Sequence, residues 1–235
     1  MGDCTGTSDN RTIALWTFQP FDAVMSAWDS GKPYRCVPSL SSYGGETNGQ
    51  ERLDEHDSGN GESNGEADSQ CSEQFRICYR WIADAMDRYG IDRPNGVDDG
   101  AYPVWAWARW TDNAGKERTK PDLRYMAFNR ERLVDGNALL SFEISRSGIL
   151  LSDFDLWHLP LNGLPIDDAI DESTESIYGG NESDMRSIIE TWDRCIVPSN
   201  ATLTDMPEWT QACIWELRES DCRYAKRLNL ESMSR

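Results

Sequence analysis

Nowhere in this chain do apolar residues run to the roughly 18 that a membrane-spanning helix requires. A basic segment followed by an apolar core is also missing from residues 1 to 11, so no secretory leader is expected. The seven cysteines are odd in number and no Cys-x-x-Cys occurs, which argues against both a disulfide framework and a zinc ribbon. The spacing of candidate ligands gives little support for a metal site. The glycine-rich phosphate loops, the Gly-x-Ser-x-Gly elbow and the His-Glu-x-x-His zinc helix are all absent, which removes the common nucleotide, hydrolase and metalloprotease readings. Positive charge is scarce too: 23 Lys and Arg stand against 41 Asp and Glu, for a net charge of -18. Such a chain is a poor ligand for a nucleic-acid backbone, though self-repulsion keeps it in solution.

What the sequence does have is tryptophan. Ten of its 235 residues are Trp, and each can bury a large area, offsetting an apolar fraction of 38% and a mean hydropathy of -0.66. The length fits one domain, expected over residues 11–230. Residues 41–70 stand apart, with almost no apolar side chain and eight acids against Arg52 alone. A segment of that kind buries too little to offset its ordering entropy, so it reads as a disordered acidic insertion, able to engage a basic partner. His56 falls inside it. Cys78, Cys195 and Cys213 sit at apolar phases of the expected elements and read as buried thiols of a reducing cytoplasm.

Hydrophobic periodicity gives the elements. Thr12 to Phe18 is β-branched and aromatic and predicts a strand. Pro20 then opens a short helix with Phe21, Val24, Met25 and Trp28 on one face and Gly31 at its stop. Ser72 is the expected cap of a long helix whose stripe is Phe75, Cys78, Tyr79, Ile82, Ala85, Met86 and Tyr89. In Val104 to Trp110 the alternation puts Val104, Ala106 and Ala108 on one strand face and Trp105 and Trp107 on the other. Two indoles on one face are either a core wall or a stacking platform for a planar ligand. Leu139 to Ile144 and Ile149 to Leu151 are strands, with Arg146-Ser147-Gly148 as a possible hairpin turn between them. A second strong helix spans about 182 to 196, and Thr210 to Leu217 is the last strand, with Gln211, Cys213 and Trp215 on one face. The expected fold is α+β: a mixed or mainly antiparallel sheet with two or three packed helices.

The densest polar chemistry lies at a strand end, in Leu151-Ser152-Asp153-Phe154-Asp155-Leu156-Trp157-His158. Asp153 and Asp155 are a metal-binding or acid/base pair, or Asp155 is the N-cap of a short helix carrying Leu156, Trp157 and Leu159. His158 is a general base, or a tie to a backbone carbonyl. Gln211, on an otherwise apolar strand, needs a partner if buried, either neighbouring backbone or a ligand. Arg124 is a surface cation or a clamp for carboxylate or phosphate.

Taken in order, Leu15-Trp16-Thr17-Phe18-Gln19, Pro103-Val104-Trp105-Ala106-Trp107, Lys120-Pro121-Asp122-Leu123-Arg124, Leu151 to His158, Thr191-Trp192 and Gln211 to Trp215 resemble the DUF3841 family. That family carries no established activity. At a coarser level, a strand, a short helix and then Gly31 resemble the opening of ADP-ribosyltransferase-like domains, although Thr17 stands where those domains place a histidine. The resemblance implies an NAD or related nucleotide site. Thr17, Gln19, Trp105, Trp107 and Arg124 would hold the cofactor, the indoles as an aromatic wall and Arg124 on a phosphate. Gln211 or Glu216 would supply the third-strand residue. Gln211 could orient a ribose hydroxyl but not act as a base, and Asp153 and His158 would complete the reacting side. The alternative is a module that stacks a ligand on the Trp-rich wall, or binds a protein, without chemistry.

Overall fold

The computed structural model describes residues 11–36, 64–112, 114–122, 136–167, 177, 182–202 and 205–229, with the backbone alone for 64–74 and 182. Residues 41–63 of the expected insertion, with His56, lie outside the described residues, as does Arg124.

Among the described residues, seven strands form one antiparallel sheet: β1 (Thr12–Pro20), β2 (Val104–Thr111), β3 (Glu117–Arg118), β4 (Asn137–Ser145), β5 (Leu150–Asp153), β6 (Thr210–Ile214) and β7 (Cys222–Arg227). The order is β5-β6-β2-β1-β4-β7, with β3 paired to the end of β2. Four helices accompany them among the described residues: α1 (Phe21–Asp29), α2 (Asn64–Arg88), α3 (Phe154–Leu161) and α4 (Glu182–Thr191). The fold is α+β, as the periodicities imply.

The alternation of β2 shapes the sheet. Val104, Ala106 and Ala108 join Leu15, Leu140, Phe142, Leu151, Ala212 and Ile214 in a core that α1 covers with Val24 and Trp28. Trp105 points the other way, with Leu150, Cys213 and Trp215, toward Ile82 and Met86 of α2, Trp157 of α3 and Trp192. Small residues on one face and indoles on the other favour bending toward the small side. Connectivity demands the same bend. Ser145 ends β4 and Leu150 begins β5, yet β1, β2 and β6 stand between those two strands. In a flat sheet they would be about 19 Å apart, at ~4.8 Å per strand. The link of four residues contains a 3-10 turn, Arg146–Gly148, that rises only ~2 Å per residue. The sheet therefore curls, with the α1 side concave. Arg146, 7% exposed, fastens the link by donating to the carbonyls of Ile149 (2.7 Å) and Pro198 (3.3 Å). The expected hairpin between β4 and β5 is not there, because both strands find other partners: β1 and β7 for β4, β6 for β5.

Three further departures concern element ends. Helix α2 begins at Asn64, so Ser72 lies inside it and residues 64–70 belong to its first turns. The helix at 182 gives way after Thr191 to a 3-10 turn, Trp192–Cys195. Strand β7 follows what was expected to be the last strand. It is polar and exposed along most of its length, so it lacks the apolar alternation that reveals a strand.

Candidate functional site

Antiparallel partners that stand directly opposite each other share a face. Following the registers from one edge of the sheet to the other gives a single row on the convex face: Ser152, Gln211, Trp107, Trp16, Ser141 and Tyr224. Trp105 stands two residues along β2 from Trp107, on the same face. The β5–β6 end of this row is unusual. Ser152 is fully buried and Gln211 is 7% exposed, on a face otherwise built from Leu150, Cys213 and indoles.

Helix α3 roofs this region, and its start is fixed by Asp153. The Asp153 carboxylate accepts from the backbone N–H of Asp155 (2.9 Å) and Leu156 (3.1 Å), which makes Asp153 the N-cap. Asp155, the expected cap, lies instead in the first turn, where its charge suits the helix dipole. The cap aims the helix so that Phe154 meets Trp107 at 4.8 Å between ring centres and Trp157 meets Trp105 at 5.0 Å. Trp209 closes the outer side against Trp107 (5.8 Å) and Trp110 (5.6 Å). His158 sits one turn on, its Nδ1 hydrogen-bonded to the Phe154 carbonyl oxygen at 2.9 Å and its ring edge-on to Phe154. Of the two roles open to His158, the tie to a backbone carbonyl is made through Nδ1.

Three buried polar atoms in this region have no hydrogen-bond partner among the described residues: Trp105 Nε1, Ser152 Oγ and Gln211 Nε2. Leaving a buried donor unsatisfied costs about 1–3 kcal/mol. Three such atoms on one aromatic face therefore form a group that favours an acceptor-bearing occupant. The surroundings are strongly apolar. Burial drives the Tyr79 phenol, which packs on Trp105 and Trp157, far above its ordinary range. Burial also pushes the Cys195 thiol up to about 12, with the Asp153 carboxylate adding to the effect.

The expected site residues divide. Trp105, Trp107, Gln211, Asp153 and His158 gather around the start of α3. Thr17 and Gln19 do not join them: Thr17 stands opposite Leu140 and Gln19 opposite Ala138, both on the concave face. There they form a chain in which Tyr34 donates to Gln19 Oε1 (3.0 Å), Gln19 Nε2 to Thr17 Oγ1 (2.8 Å) and Thr17 to the Trp105 carbonyl (2.6 Å). That chain stitches β1, β2 and the segment after α1 together. Ser152 and Phe154 were not singled out from the sequence. Ser152 carried a signal, since two-residue alternation from Leu150 puts its hydroxyl on the buried face. Among the described residues, no three His, Cys, Asp or Glu side chains gather as a metal would require, and no helix is long and apolar enough to cross a membrane.

Residues 65–222, about two thirds of the chain, match the domain of unknown function DUF3841. The chain belongs to the DUF3841 family. The matched span runs from the start of α2 into β7 and contains every residue of the cluster around α3, while β1 and α1 precede it. No curated protein and no solved structure matches the chain. What is specific to this DUF3841 domain must therefore be read from its own residues.

Proposed function

We propose that this DUF3841 domain is a binding module for a planar, acceptor-bearing ring, of the size and polarity of a nucleobase or a nicotinamide carboxamide. The observation that carries this reading is the trio of unsatisfied polar atoms, Trp105 Nε1, Ser152 Oγ and Gln211 Nε2, on one aromatic face. Aromatic walls with a few placed donors are how proteins hold such rings. NAD is the first compound to test, because the opening of the chain resembles ADP-ribosyltransferase-like domains. In that frame Arg124 would meet a phosphate. Transfer of ADP-ribose is the less supported half of the idea. Gln211 cannot take a proton, Asp153 is committed to the helix cap, and Glu216 is held between two arginines. Binding without turnover follows.

The test is titration of the full chain with NAD, ADP-ribose and nicotinamide, followed by Trp fluorescence and thermal shift. Saturable quenching and a mass-action rise in Tm are expected for the wild type. Both should be lost in Gln211→Leu, which removes the orphaned amide while keeping volume, so the unliganded variant should melt no lower than the wild type. Absence of saturation with all three compounds at millimolar concentration would reject the reading, and would leave ordered water as the partner of these atoms.

A further inference from the structure

A second site lies elsewhere, in a cleft of about 690 Å³ between the end of α1, the loop at Pro94 and Asn95, and the segment after β6. Its construction starts with Gly31. At φ +69° Gly31 ends α1, donating to the Trp28 carbonyl (2.8 Å), while Lys32 N–H donates to that of Ala27 (2.9 Å). This turn brings Lys32 to the cleft wall and leads the chain to Arg35. The Arg35 guanidinium donates to the carbonyls of Gly96 (2.9 Å) and Asn95 (3.0 Å) and, through Nε and Nη2, to Glu216 Oε2 (3.1 and 2.9 Å). The other oxygen of Glu216 accepts from Arg218 Nε at 2.8 Å, with Nη2 at 2.6 Å.

The charges do not cancel. Arg35 alone would neutralise Glu216, whose side chain is 8% exposed and already bonded through both oxygens. Arg218 is a second cation that the buried carboxylate does not need for neutrality. Glu216 engages only two of its nitrogens, so the remaining N–H groups of this exposed guanidinium stay open. Lys32 lines the same cleft and is exposed. Among the described residues Glu219 is the one other carboxylate on the wall, with Asp221 also acting on Arg218 from beside it, so the lining itself sets Lys32, Arg35 and Arg218 against Glu216 and Glu219 on a chain of net charge -18. Its walls also include the apolar bodies of Pro33 and Pro94. A guanidinium with open N–H groups beside an exposed ammonium matches a phosphoryl group, and the volume leaves room for more than the bare ion.

We infer that this cleft binds the phosphoryl group of a small molecule, held by Arg218 and Lys32, with Glu216 acting as the positioning residue for Arg218. Binding is independent of the ring site, because Gln211 lies on the convex face beneath α3. The probe is inorganic pyrophosphate, with succinate as the carboxylate control, titrated calorimetrically into the full chain. Saturable binding of pyrophosphate, weaker with added salt, is expected. The double variant Lys32→Gln/Arg218→Gln should weaken it by about tenfold or more, and Glu219→Gln should strengthen it severalfold by removing a like charge. Gln211→Leu should leave it unchanged. Lys32 is exposed, but Arg218→Gln takes a partner from the buried Glu216 carboxylate, so a lower Tm is expected for the double variant; it is measured beside the titration, which is run well below both midpoints. No saturation at millimolar pyrophosphate, equal affinity for succinate, an unaltered affinity in the double variant, or loss of binding in Gln211→Leu would each overturn the assignment.

Discussion

Asp153 shows what a single side chain decides. Its two hydrogen bonds set where α3 begins, and that start sets which rings stand over Trp105 and Trp107. Removing the cap by Asp153→Ala should cost about 1 kcal/mol of stability. A urea titration will measure that loss, and the same variant should weaken any ligand held beneath α3. An Asp153→Ala protein as stable as the wild type would mean that Phe154 and Trp157 position the helix without it. The sequence marked Leu151 to His158 as the place to look, yet put the cap two residues late. Asp153 and Asp155 are the same residue type on either side of Phe154, and only the tertiary direction of β5 decides which of them is still extended when the helix starts. Gln211 was legible for a firmer reason: a large amide on a face shared with Cys213 and Trp215 is out of place in any register. Thr17 and Gln19 were read onto the same pocket because strand ends look alike in sequence. Alternation along β1 assigns them to the concave side.

Among the elements, α3 is short and depends on neighbours. Trp157 packs between Trp105 and Trp81, and Trp81 in turn meets Trp192 edge-on at 5.6 Å. The Pro160 carbonyl of α3 accepts a hydrogen bond from the Cys78 thiol of α2 at 2.8 Å. Trp157→Ala should therefore cost about 3–5 kcal/mol, the range for deleting a large buried ring. A thermal melt would check this, and a loss under 1 kcal/mol would show that the indole stack is looser than its geometry implies. The stripe of α2 and the alternation of β2 were readable because each repeats with one period for several turns or pairs. Strand β7 was not, since it is exposed along most of its length and so carries no such alternation. The absence of a β4–β5 hairpin was not readable either. A three-residue turn between two apolar runs looks the same whether the runs pair with each other or with strands distant in sequence.

Over the whole molecule, alkaline pH is the informative variable. Burial raises the Cys78 and Cys195 thiols from an ordinary value near 9.0 to about 12, and Tyr34 from 10.0 to about 12. Between those limits the folded chain holds protons that the unfolded chain has released, so stability must fall as pH rises. Below pH 9 these groups contribute fully. Unfolding midpoints in urea should be level with respect to them up to about pH 9 and decline from there toward pH 12. A midpoint that stays constant to pH 11 would contradict this. Among the described thiols, Cys36 and Cys222 are the accessible ones and should react with an alkylating reagent long before Cys78, Cys195 or Cys213.

The position of β6 has a consequence for how the protein is made. This five-residue strand is buried throughout and is the only neighbour that joins β5 to β2 among the described strands. Its partners leave the ribosome first: β2 by about a hundred residues, β5 by nearly sixty. Until Thr210 to Ile214 emerge, the sheet is a β2-β1-β4 fragment with an open edge, and β5 is held only by the bridge of Ser152 to Ile196 and the hydrogen bond from Val197 N–H to the Leu151 carbonyl. A nascent chain stopped before residue 210 is thus not a slightly shorter version of the domain. It is two pieces lacking their seam, and both binding faces lose a wall, since Gln211 lies in β6 and Glu216 just after it.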